Sequence, residues 1–211
     1  MTTRPGRLVF VAGTGTSVGK TWMAAAVLAR FRRAGLRVGA RKPAQSFDTA
    51  EGPTDADVLA AATGEPPHDV CQPHRWYARA LPPPMAADAL GAPPFAVGDL
   101  IDELHWPAGV DVGLVEGAGG PRSPIAADGD NVTLASSIAP DLVLLVADAG
   151  LGTINAVRMS VAAFGEQQVV VVLNRFDEHD PLHRRNRDWL ACRDGLDVVT
   201  GVEATAARIV P

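Results

Sequence analysis

The run Gly13-Thr14-Gly15-Thr16-Ser17-Val18-Gly19-Lys20-Thr21 carries the clearest chemistry in the chain. Glycines let a backbone close tightly around phosphate oxygens, and unpaired N–H groups at a helix N-terminus attract anions. Lys20 can reach the outer phosphates of a nucleotide as a point charge. Thr21 can place its hydroxyl on Mg²⁺. Gly15, Thr16, Ser17, Val18, Gly19, Lys20 and Thr21 are therefore the expected nucleotide-binding residues. Five residues separate Gly13 from Gly19, one more than the common spacing and a known variant of this loop.

Other residues suit the same chemistry. Glu116 precedes Gly117-Ala118-Gly119-Gly120 and is a candidate Mg²⁺ ligand, direct or through water, beside Thr21. Either Asp55 or Asp57, in the stretch TDAD, could complete a metal site. Lys42 and Ser46 follow a second apolar segment. The lysine could neutralise a carboxylate, a carbamate or a phosphoryl group in transfer. Gly150-Leu151-Gly152-Thr153-Ile154-Asn155 is a second possible anion cup before a helix.

These residues need a scaffold that gathers them. The runs 8–12, 142–147 and 169–174 are continuously apolar, as in strands buried on both faces, and 37–42 and 110–116 read as further strands. Segments 21–31, 54–63, 98–104, 131–139, 153–164 and 181–194 have helical composition, with Gly35 and Gly64 as stops. Residues 65–95 carry eight prolines and read mostly as loop, with a short helix at 85–90. A weak strand at 198–202 and a short tail end the chain. Alternating strands and helices predict one α/β domain over 1–211, a mainly parallel central sheet with helices on both faces. Ligands of such sheets sit beyond the carboxyl ends of the strands, where every candidate residue falls.

Composition narrows the class. The 211 residues are 47% hydrophobic and 20% charged, enough for a full core. A net charge of −5 disfavours general binding to nucleic acid or an anionic membrane. Cys71 and Cys192 form no metal or disulfide pattern, and neither a membrane-length apolar run nor a signal-peptide core is present. The expectation is a soluble cytoplasmic protein. The five histidines show no metal spacing, Trp22 is expected in the core, and residues 184–187 read as a solvated helix face.

GTGTSVGKT at 13–21, Lys42-Pro43, Asp55, VEGAGG at 115–120 and LGTIN at 151–155 together resemble the dethiobiotin synthetase family. Their order and intervals fit over roughly residues 7–175. The resemblance implies a homodimeric P-loop ligase that closes a cyclic urea on 7,8-diaminononanoate with CO₂ and ATP. A carbamate forms first, is phosphorylated, and is then attacked by the second amine. It implies Lys20 on the β- and γ-phosphates, and Thr21, Asp55 and Glu116 on Mg²⁺. Asp55 is preferred to Asp57 because Thr54-Asp55-Ala56 is similar to the family's Ser-Asp-Ala. Thr16, Lys42 and Ser46 would line the amine and carbamate site, with Lys20 the catalytic set. Gly152, Thr153 and Asn155 would meet the substrate carboxylate across a dimer interface, and Asn174 would read the adenine edge. Phe47 and Arg122 depart from the family pattern, and GVEATAARIVP replaces a longer C-terminal segment that packs on the base and ends in a helix. These departures keep open a related ligase acting on a different amine or acid; a Min/Par-like nucleotide switch is a separate, lesser alternative.

Overall fold

The computed structural model describes residues 4–50 and 52–210. The N-terminal stretch and the tail read above therefore extend, at residues 1–3 and 211, outside the described residues. In chain order the elements are β1 (Arg7–Gly13), α1 (Lys20–Arg33), β2 (Val38–Arg41), β3 (Gln45–Ser46), α2 (Asp55–Thr63), α3 (Pro67–Val70), β4 (Trp76–Tyr77), α4 (Pro83–Ala89), α5 (Val97–Asp102) and β5 (Val112–Glu116). They continue as β6 (Pro124–Ala126), β7 (Gly129–Asp130), α6 (Asn131–Ile138), β8 (Leu142–Asp148), α7 (Thr153–Phe164), β9 (Val169–Asn174), α8 (Pro181–Asp188), β10 (Asp197–Thr200) and α9 (Gly201–Ile209).

Six strands form one sheet in the order β10-β9-β8-β1-β5-β2, and every pairing in it is parallel. Alternate residues of β1 serve two cores. Val9 and Val11 pack with Met23, Val27, Leu28 and Phe31 of α1, Leu59 of α2 and Ile209 of α9. Phe10 and Ala12 face Leu100, Leu134 and Val157 of α5, α6 and α7. Burial on both faces explains the unbroken apolar runs of the central strands. β1 lies between β5 and β8, so the loop leaving its carboxyl end opens at the middle of the sheet.

The structure departs from expectation in the proline-rich stretch. Residues 65–95 are more ordered than a loop, because Pro67 and Pro83 stand in the first turns of α3 and α4 and Pro73 opens a 3₁₀ turn. A proline with its fixed φ favours the start of a helix, where its missing N–H costs nothing. β3 and β4 pair in parallel, and the Lys42 N–H donates to the Val70 carbonyl at 2.8 Å. The C-terminal residues are likewise no simple tail. α9 buries Thr205, Ala206 and Ile209, and Glu203 pairs with Arg30 of α1 at 2.8 Å. The hairpin β6–β7 is too short to show a period of its own. Among the described residues no helix is long and apolar enough to cross a membrane.

Candidate active site

The turn from β1 into α1 builds the floor of the site. Gly19 caps α1 with φ of +94°, a conformation glycine adopts without strain. Lys20 opens the helix, and its Nζ donates to the Gly15 carbonyl at 2.9 Å across the loop. Burial first, and then the nearby Lys42 charge, pull the Lys20 pKa down to about 8.

Lys42, one residue past β2, is 2% exposed. Its ammonium is held by Asp55 Oδ2 at 2.7 Å, Glu116 Oε1 at 2.7 Å and the Gly117 carbonyl at 3.0 Å. Three acceptors for three donors fix its direction. Burial alone would lower the Lys42 pKa, but the two carboxylates overcome it and hold the ammonium charged. The same ammonium holds the Asp55 carboxyl below its usual range, while burial pushes Glu116 upward.

Thr21 Oγ1 lies 2.8 Å from Asp55 Oδ1 and 2.9 Å from Glu116 Oε1. Glu116 Oε2 is buried with no hydrogen-bond partner among the described residues. A hydroxyl and two carboxylates, one of them with an orphaned oxygen, are hard donors that suit Mg²⁺, which takes one or two carboxylates and completes its shell with phosphate and water. Asp57 is engaged elsewhere. It accepts from the Thr54 N–H at 2.9 Å, and its own N–H donates to Thr54 Oγ1 at 3.3 Å, closing a capping box on α2. The first helical position, Asp55, is thereby turned to the site.

A cavity of about 680 Å³ stands over this cluster. Thr16, Lys20, Thr21, Lys42, Ser46 and Asp55 give it a polar side, and Phe47, Leu81, Pro82 and Pro83 an apolar one. The Phe47 ring is set edge-on to Trp76, with centroids 6.3 Å apart. A second cavity of about 580 Å³ adjoins the other side of the loop, lined by Trp22, Asn174, Phe176, Glu178 and Thr200 among others. Asn174 ends β9 and donates from Nδ2 to the Val18 carbonyl at 2.9 Å. Trp22 is thus not a core residue: it is 58% exposed and walls this second cavity, because α1 buries Met23 and Ala24 and turns position 22 outward.

Gly152, Thr153 and Asn155 line neither cavity. They lie where the turn after β8 enters α7, with Asn155 exposed, Leu151 92% exposed and Thr153 Oγ1 buried without a partner. Arg122 likewise lines neither cavity and pairs with Asp130 at 3.0 Å. Three positioning residues escape a reading of motifs. Asn131 Nδ2 donates to the carbonyls of Ala118 and Gly120, and its Oδ1 accepts from the Ala118 N–H, so the glycine loop after β5 hangs on one buried amide. Gln45 Oε1 accepts from the Ala56 N–H and orients the start of α2. Asn186, inside the stretch expected as a solvated face, is buried and donates to Ala149 and Gly150 carbonyls. A buried side-chain amide bonded to backbone groups is their shared signal, visible only once burial is known.

Fold and site together define a P-loop nucleotide-binding α/β protein. Residues 7–206 match the family model described as an AAA domain. The fold is similar to the signal recognition particle receptor FtsY of Elizabethkingia anophelis, with a TM-score of 0.56, 18% identity and coverage of 98% of this chain and 62% of that one. It is also similar to an ADP-bound nucleotide-binding protein of Archaeoglobus fulgidus, with a TM-score of 0.54, 11% identity and coverage of 97% and 85%. Sequence relatives are more specific. The ATP-dependent dethiobiotin synthetase BioD of Rhodococcus jostii is 35% identical over 96% of this chain and 88% of its own. That of an Anaeromyxobacter species is 38% identical over 82% and 79%. The chain belongs to the dethiobiotin synthetase family.

Proposed function

We propose that the chain is an ATP-dependent dethiobiotin synthetase, a ligase of biotin biosynthesis that closes the urea ring of dethiobiotin from 7,8-diaminononanoate and CO₂. The observation that carries the reading is one cavity in which the phosphate loop and the Lys42–Ser46 segment face each other, with an apolar wall alongside. One amine nitrogen adds to the carbon of CO₂ and loses a proton, giving a carbamate. A carbamate oxygen takes the γ-phosphoryl group and ADP departs. The second amine then attacks the carbamic carbon, phosphate leaves with the C–O bond pair, and the ring is closed.

In this scheme the protein positions reactants and stabilises charge. The loop N–H groups from Gly15 to Gly19 and the Lys20 ammonium hold the phosphates. Lys42, already oriented by its carboxylates, neutralises the growing negative charge on the carbamate, while Thr16 and Ser46 hold the amine end. Thr21, Asp55 and Glu116 would hold Mg²⁺, which would supply Lewis-acid charge neutralisation to the phosphates when bound. Asn174 has its amide nitrogen committed to Val18, which leaves its carbonyl oxygen to accept from an exocyclic amine such as that of adenine. A homodimer in the cytoplasm would bring Gly152, Thr153 and Asn155 of a second copy to the substrate carboxylate. The exposed Leu151 and Met159 beside them are in keeping with a covered face.

Two variants separate the neighbouring acids of α2. Asp57→Ala should lower unfolding free energy by about 1 kcal/mol in urea titration, the usual cost of a cap, and keep turnover. Asp55→Ala should keep the fold and lose roughly a hundredfold or more in kcat. Equal turnover in both would remove Asp55 from the site.

The test of the whole reading is phosphate release from ATP, Mg²⁺ and bicarbonate, with and without 7,8-diaminononanoate, and mass detection of the product. Diamine-dependent release with a cyclic urea is expected. Nucleotide binding without diamine-dependent release would overturn it and favour the same chemistry on another amine. The Phe47 ring in the cavity wall next to Ser46 is the observation behind that second reading.

A further inference from the structure

Arg175 stands one residue past β9 and belongs to no motif considered above. Among the described residues, it and Gly19 are the two that line both cavities. A nucleotide whose base lies in the second cavity and whose outer phosphates lie in the first must cross between them at these two residues. Gly19 offers backbone there, and Arg175 offers a guanidinium.

The side chain is already laid across the loop. Nη2 donates to the Ser17 carbonyl at 2.9 Å, and Nη1 pairs with Asp148 Oδ2 at 2.9 Å. Asp148 is itself aimed by the Gly150 N–H, which donates to its other oxygen at 3.0 Å. Both ends of the Arg175–Ser17 bond are strained. Ser17 has φ of +57° and Arg175 of +55°, and Ala139 is the one other described non-glycine residue with positive φ. Side-chain-bearing residues persist in that region where surrounding structure holds them, often at ligand clamps.

Charge balance points the same way. At the floor of the first cavity Lys42 is paired with the carboxylates of Asp55 and Glu116, and Lys20, held on the Gly15 carbonyl, is the second ammonium. That cluster has little net positive charge to offer a triphosphate. Arg175 is the next cation on the cavity wall, with its side chain more than half exposed. We infer that Arg175 is a nucleotide-binding residue whose guanidinium holds the phosphate chain of a nucleoside triphosphate where it passes from one cavity to the other. The inference rests on the ATP-dependent reading above and adds to it a residue at the crossing.

The experiment titrates the full chain with a non-hydrolysable ATP analogue and Mg²⁺ by calorimetry, for wild type, Arg175→Gly and Arg175→Lys, with Tm measured alongside. Glycine is at ease at this φ, so Arg175→Gly should keep or raise Tm. Its affinity for the analogue should fall roughly tenfold or more, as for a lost charge-assisted hydrogen bond. Arg175→Lys should recover part of that loss, and the wild-type affinity should weaken with added salt more steeply than that of Arg175→Gly. Wild-type affinity in Arg175→Gly would overturn the inference. So would a loss that tracks a fall in Tm and is untouched by lysine, since that is the pattern of a strut for the loop. If wild type binds the analogue but shows no diamine-dependent phosphate release, the ligase reading falls while the Arg175 result stands on the binding data.

Discussion

Lys42→Ala is expected to lose both turnover and stability, and for separable reasons. Turnover should fall by roughly a hundredfold or more, because a preoriented cation facing developing charge is removed. Stability should fall because Glu116, 1% exposed, loses the ammonium at 2.7 Å and has no other partner of opposite charge in direct contact among the described residues. Removing one member of a buried pair commonly costs about 3–5 kcal/mol. Asp55 adds less to that figure, since its side chain is 41% exposed and water can take over. The deficit should depend on pH with a definite sign. Without Lys42 the Glu116 carboxyl, already pushed up by burial, moves further above its unfolded value. A group whose folded pKa is raised favours the folded state at low pH, so the Lys42→Ala penalty should grow as pH rises above the ordinary glutamate range and shrink toward pH ~4.3. Urea titrations of wild type and variant at several pH values measure it. The double variant Lys42→Met/Glu116→Gln removes both charges and keeps the volume, so it should regain most of the stability and none of the turnover. A pH-independent deficit, or a double variant no more stable than Lys42→Ala, would mean that the ion pair is not what Lys42 contributes to the fold.

Much of this architecture can be read from the sequence because the central strands are buried on both faces. Val9, Phe10 and Val11, or Leu142 to Val146, need no partner information to be recognised as sheet interior. The phosphate loop is legible for a related reason: its function is performed mostly by backbone, and glycine spacing encodes backbone. What was not legible depends on side chains meeting across long separations. Trp22 has the composition of a core residue and lies in a helix with a buried face, yet its position on that helix points to the second cavity. Only the placement of Phe176 just past β9 and of Thr200 at the end of β10 reveals the cleft it walls. Asn131, Gln45 and Asn186 are ordinary polar residues until two loops and the start of α2 are found held by their amides. The C-terminal residues 201–209 are too short to declare a helix by themselves, and α9 forms because Ala206 and Ile209 have α1 and β9 to pack against. The choice of Asp55 over Asp57 lies between these cases. Motif similarity favours it, and the capping box supplies the cause, since a carboxylate used to close a helix start cannot also face the site.

Gly19→Ala should nearly abolish nucleotide binding, and the reason is a contact rather than a motif. A Cβ at this position would lie 2.0 Å from Nδ2 of Asn174, far inside van der Waals contact, and the residue would have to hold φ of +94°. The left-handed conformation alone costs an alanine about 1–2 kcal/mol. The clash cannot be relieved cheaply, because the same Nδ2 is bonded to the Val18 carbonyl and anchors β9 to the loop. Either Asn174 swings away and the tie is lost, or the loop shifts and its N–H groups no longer converge on phosphate. Analogue affinity should fall by roughly a hundredfold, read by calorimetry, with a stability loss of about 2 kcal/mol or more. Gly15→Ala is the control from the same loop: its added Cβ meets nothing within 4 Å, so stability should stay within about 0.5 kcal/mol of wild type. A double-mutant cycle isolates the clash. Asn174→Ala alone removes the tie and destabilises, but in the Gly19→Ala background it also removes the obstacle. The two changes together should therefore cost less than their sum. Strict additivity would mean that the loop and Asn174 move apart freely, and the junction between β9 and the phosphate loop would then be softer than its hydrogen bonds and strained backbone imply.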